Sequence, residues 1–80
     1  NQQMEEFMFL GLRKTKGISK ETFYNKFGLS IYEIYGNVLN KLEKQGLITT
    51  DDKRIWLTDY GIDISNRVWQ IFYWTKLYVN

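Results

Sequence analysis

Cysteine, histidine and proline are all absent from this 80-residue sequence. Without cysteine there is no disulfide framework, no thiolate nucleophile and no thiolate metal site. Without histidine, the commonest general base and a favoured zinc ligand are both missing. Charge of one sign is scarce too: eleven Lys and Arg oppose nine Asp and Glu, for a net charge of +2. So mild a balance does not demand nucleic acid or an acidic membrane as a partner. No apolar run approaches the ~18 residues that span a bilayer, and no signal peptide is visible. A cytoplasmic setting is the expectation. There is no repeat, no low-complexity segment and no internal linker.

Catalytic machinery is equally thin. Each carboxylate has a plain structural account as a helix first turn, a cap, a turn or a solvated face. Glu5 and Glu6 are adjacent, and adjacent helix residues do not face each other. The six glycines sit at breaks or inside helical patterns, with no phosphate-cradling motif among them. The chain by itself is therefore not expected to be an enzyme. No catalytic, cofactor-binding or metal-ligating residue is assigned within it.

What the sequence has in quantity is apolar surface. It is 44% hydrophobic and 18% aromatic, which favours a packed globule over disorder. Eighty residues fit one small domain, residues 1–80. The chain starts Asn-Gln-Gln, with Met4 inside a helical pattern. That reads as a piece cut from a longer protein. The aromatic load raises a related expectation: part of it serves a surface covered only in a larger assembly.

Local signals order the elements. Gln3 to Arg13 reads as a helix, with Met4, Phe7, Met8 and Gly11 at helical spacing and Arg13 and Lys14 matched to the dipole at its end. Phe9, Leu10 and Leu12 spread its apolar surface well beyond one stripe. Gly17 ends this pattern. Ser19 caps a second helix, Lys20 to about Lys26, and Gly28 closes it. Ser30 and Glu33 form a capping box for a third helix. Its stripe is Ile31, Ile34, Tyr35, Val38, Leu39 and Leu42, and Gly46 stops it. Leu47 to Thr50 and Arg54 to Leu57 read as strands joined by Asp51-Asp52-Lys53. Thr58 caps one last helix, running to about Tyr73, with Asp63 and Arg67 as an i,i+4 pair. Gly11, Gly36 and Gly61 lie inside helical patterns, where close helix contact is the expected compensation. The fold class is α+β, mostly helical: a winged-helix-like domain of three helices, a two-stranded hairpin and a C-terminal helix.

A winged helix raises the question of nucleic acid. The reading helix would be Ile31 to Gln45. Its polar face carries Glu33, Asn37, Asn40, Lys41, Glu43 and Lys44, without an arginine for guanine. The hairpin tip, Asp51-Asp52, would face phosphates badly. The charge pattern argues against nucleic acid as the partner.

Four stretches, "EEFMFLGLRKTKGIS", "FYNKFG", "LEKQGLI" and "IWLTDYGIDISNRVW", together resemble the C-terminal domain of oxygen-independent coproporphyrinogen III oxidases. That family also includes haem-chaperone-like relatives. The similarity covers about Glu5 to Phe72. It implies a radical S-adenosylmethionine parent, whose barrel lies N-terminal to this domain and holds a 4Fe-4S cluster on three cysteines. None of those cysteines is here, so no cluster or S-adenosylmethionine contact carries over. What the resemblance implies is an accessory domain that packs on the barrel and helps cover a site for coproporphyrinogen III or haem. The parent would be an oxidase of porphyrin biosynthesis, or alternatively a haem chaperone.

That role suits the surplus apolar residues. Phe9, Ile62, Trp69 and Tyr73 are candidates for docking on the barrel, against the alternative that all four pack within the domain. Arg13 is a candidate contact for a tetrapyrrole carboxylate, against the alternative that it only matches the helix dipole. Ser19, Ser30, Glu33, Gly46 and Thr58 are assigned as structural caps.

Overall fold

The computed structural model describes residues 2–79, with side chains as far as Tyr73. In chain order its elements are α1 (Gln2–Arg13), β1 (Ile18–Ser19), α2 (Lys20–Phe27), α3 (Ile31–Lys44), β2 (Ile48–Thr50), β3 (Arg54–Leu57), α4 (Asp59–Asp63) and α5 (Ser65–Val79). The domain is α+β and mostly helical, with one three-stranded antiparallel sheet in the order β1-β3-β2.

The caps act where the local signals place them. Ser19 Oγ accepts from Thr22 N at 3.1 Å, starting α2. Ser30 Oγ accepts from Tyr32 N and Glu33 Oε2 accepts from Ser30 N, so both arms of the capping box close. At the other end of α3, Gly46 N donates to Glu43 O and Leu47 N donates to Leu42 O. This is a Schellman motif, and it needs Gly46 at φ +75°. Thr58 Oγ1 accepts from Gly61 N at 3.0 Å and donates to Gly46 O at 2.6 Å. One hydroxyl thus joins the start of α4 to the end of α3.

The apolar stripe of α3 forms the centre of the core. Ile31, Tyr35, Val38, Leu39 and Leu42 are buried, together with Met8 and Leu12 of α1, Phe23 of α2, and Val68 and Phe72 of α5. The sheet side contributes Ile18, Leu47, Ile48 and Ile55. Ile34 departs from the expected stripe and is 41% exposed. It lies at the stripe's margin on the helical wheel, beyond the neighbours that cover the rest. Much of the aromatic load is internal. Phe7, Phe23 and Phe27 meet at centroid distances of 4.8–5.8 Å, and Tyr35 meets Phe72 at 5.1 Å.

Three expectations need correction. The sheet has a third strand. Gly17, at φ +72°, does more than end α1: it lets the chain lie so close to β3 that a Cβ would strike the Ile55 carbonyl oxygen. Ile18 then pairs with Ile55. Two residues are too few to show alternation, so β1 carries no periodic signal.

The last helix is two helices. Ile64, at φ −118° and ψ 42°, separates α4 from α5. The two parts answer to different anchors. Gly61 seats α4 against the Leu47 backbone, whereas Val68 and Phe72 seat α5 in the core. Asp63 and Arg67 therefore stand on different helices, and the i,i+4 relation within one helix is lost.

The helical glycines are not alike. A Cβ on Gly11 would lie 2.5 Å from Ile18 Cγ1, and one on Gly61 would strike the Leu47 carbonyl oxygen. These close neighbours are a strand and a loop, not helices. Gly36 has none: the nearest atom to its Cβ position is Tyr32 Cβ at 4.0 Å.

Candidate functional site

A cleft of about 850 Å³ opens between the C-terminal end of α1, the hairpin and the α4–α5 corner. Its position follows from the chain breaks already described. α1 stops at Arg13, and α4 turns at Ile64 instead of continuing straight. Arg13, Lys14, Trp56, Ile62, Asn66 and Trp69 are among the residues that line it.

Trp69 forms its apolar wall. The indole is half-buried and held edge-on by Phe9 at 5.3 Å and 87°. Phe9 in turn leans on buried Phe72 at 5.4 Å. On the open side of Trp69 lies the Arg13 guanidinium, 5.6 Å from the ring centroid. An exposed cation–π contact of this kind is worth about 0.5–1 kcal/mol. The Arg13 side chain is exposed, and a guanidinium carries a fork of N–H donors that matches a planar carboxylate. Ile62, on α4, is 59% exposed at the same cleft.

Arg13, Ile62 and Trp69 are therefore brought together. Phe9 is half-buried and engaged inside the domain, as the support behind Trp69. Tyr73 lies one turn beyond Trp69 on α5 and is 58% exposed, outside the cleft lining. Thr58 both caps α4 and lines the cleft. Ser19, Ser30, Glu33 and Gly46 serve their caps elsewhere. Trp56 is a lining residue that sequence patterning does not single out. The usable signal is strand alternation: Ile55 is buried, so its neighbour Trp56 faces the other side of the sheet.

The electrostatics suit binding rather than proton transfer. Arg13 and Lys14 outnumber Asp59 in the lining. Neither the Tyr35 hydroxyl nor the Asp51 carboxyl, whose titration is shifted, lines the cleft. Burial raises the Tyr35 hydroxyl. The Lys53 and Arg54 amides, donating to Asp51, hold its carboxyl below the usual carboxylate range. Among the described residues no three His, Cys, Asp or Glu side chains gather as a metal site. With no cysteine in the chain, its residues do not fit a 4Fe-4S cluster. No helix among the described residues is long and apolar enough to cross a membrane.

The family model for the HemN C-terminal domain matches residues 1–64, from α1 through the corner at Ile64. The chain belongs to the HemN C-terminal domain family. It is similar to two proteins named haem chaperone HemW. One, from Lactococcus lactis subsp. lactis (strain IL1403), is 44% identical over 70 residues, covering 88% of this chain and 18% of the relative. The other, from Bacillus subtilis (strain 168), is 42% identical over 71 residues, covering 89% of this chain and 19% of the relative. The chain thus spans under a fifth of the length of these relatives. No solved structure matches it significantly.

Proposed function

We propose that this is the C-terminal accessory domain of a haem-chaperone-like member of the HemN family. In this reading the exposed Ile62 and Tyr73, with the outer part of Trp69, dock on the barrel that precedes the domain. Phe9 supports that surface from within. Arg13 borders the tetrapyrrole site and holds one of its carboxylates. The observation that carries the reading is the Arg13–Trp69 cation–π pair beside exposed Ile62. An exposed cation sits next to apolar surface, which suits an amphipathic, carboxylated ring.

Both relatives carry the haem chaperone name. Their names support haem handling over the oxidase reading, in which the parent would decarboxylate coproporphyrinogen III. The 4Fe-4S cluster and S-adenosylmethionine belong in this proposal to the barrel. The chain has neither histidine nor cysteine, two of the usual ligands of haem iron; in this reading its contribution is to carboxylates and the ring edge. Nucleic acid has the weaker support: the hairpin tip exposes Asp51 and Asp52.

Haemin titration of the full-length protein, followed by absorbance, tests this. Arg13→Ala should weaken binding about tenfold, as loss of one charge-assisted contact predicts. Unchanged affinity would remove Arg13 from the site. Turnover of coproporphyrinogen III by the native protein would favour the oxidase instead.

A further inference from the structure

A second groove, of about 600 Å³, runs along another flank of α1, between that helix, β1 and α2. Lys14, Lys16, Lys26 and Arg54 line it, against one carboxylate, Glu6. That is a local excess of three positive charges in a chain whose net charge is +2. The helix dipole explains Lys14 and Lys26, which lie at helix ends. It does not explain Lys16 in a turn or Arg54 at the start of a strand. Four cations from three parts of the chain, the turn after α1, the end of α2 and the start of β3, converge on one concavity.

Its floor is apolar. Leu10, in the last turn of α1, lines it and is 59% exposed. Phe7 is half-buried beside it, with its ring edge-on to Phe23 and Phe27. A charge rim alone would suit any polyanion. The exposed leucine sets the class more narrowly, because a phosphate backbone gains nothing from it and no exposed aromatic ring lines the groove for a base to stack on.

We infer that this groove is a docking site for an acidic peptide segment of a partner protein, one that seats an apolar side chain on Leu10 and Phe7 and carboxylates on Lys16, Lys26 and Arg54. The inference is independent of the tetrapyrrole reading.

The test uses the full-length protein and a labelled ~14-residue helical peptide, about four turns long, of Leu on one face and Glu elsewhere. Fluorescence anisotropy reads its affinity, with a Lys-for-Glu peptide and a DNA duplex as competitors of other classes. The acidic peptide should bind and the basic one should not. Affinity should fall steeply between about 50 and about 200 mM salt. Lys16→Glu with Lys26→Glu should weaken it about tenfold, and Leu10→Ala should also weaken it. Lys41→Glu with Lys44→Glu, on α3, should leave it unchanged. Neither Lys16 nor Lys26 lines the first cleft, so haemin affinity should survive their reversal. Failure of the acidic peptide to bind, equal binding to the groove and α3 variants, or preference for the duplex would each overturn the inference.

Discussion

A methyl group at position 61 would be driven into the carbonyl oxygen of Leu47. At position 36 the same methyl would meet nothing closer than 4.0 Å. Both glycines lie in helices, so the helix propensity gained on changing either to alanine is similar, up to about 1 kcal/mol. The neighbours decide the sign. Gly61→Ala should destabilise the domain by about 1–3 kcal/mol, because a backbone carbonyl cannot step aside as a flexible side chain can. Gly36→Ala should stabilise it by up to about 1 kcal/mol. Urea unfolding of the two variants checks the contrast. The caps were readable from sequence because a cap is a bond across two or three residues, as at Ser19 and Ser30. The fate of Gly61 was not, because its neighbour lies fourteen residues back in the chain.

The hairpin is held by an aspartate. Asp51 Oδ1 accepts from Lys53 N at 2.8 Å and Arg54 N at 2.7 Å, and Lys20 Nζ donates to the Asp51 carbonyl at 2.5 Å. These amide bonds favour the ionised carboxylate and depress its titration. A group depressed in the folded state contributes stability above its ordinary, unfolded value. That contribution is lost as pH falls through the lower folded value. Amide exchange at Lys53 and Arg54, followed by NMR, should therefore show the turn loosening below the ordinary aspartate range. Asp51→Ala should loosen the turn at neutral pH and abolish that acid transition. At this scale the sequence was legible where elements were long. The α3 stripe, apart from exposed Ile34, and the hairpin strands, with β2 starting at Ile48 rather than Leu47, lie where alternation and spacing put them. β1 and the corner at Ile64 were not legible. β1 exists through pairing with a distant strand, and the corner through two anchors that pull α4 and α5 to different places.

For the whole molecule, the aromatic surplus divides. Phe7, Phe23, Phe27, Tyr35 and Phe72 pack among themselves, so most phenylalanines need no partner. Phe9 joins them as the support of Trp69. Among the described residues Leu10, Tyr24, Tyr32 and Tyr60 are exposed elsewhere on the surface; of the four docking candidates, Ile62 on α4 and Tyr73 on α5 are more than half exposed, with Arg13 and Trp69 between α1 and α5. Sequence patterning marked this strip as surplus. It could not separate Phe9 from the others, since helical spacing does not say which neighbour a side chain meets. The central claim is that this strip is the docking face of an accessory domain. Hydroxyl-radical footprinting of the full-length protein tests it most directly, with each residue normalised to its reactivity in the unfolded chain. Tyr24, 57% exposed on α2, is the internal reference. The account predicts that Ile62 and Tyr73 are protected while Tyr24 stays reactive; Ile62 and Tyr73 as reactive as Tyr24 would contradict it.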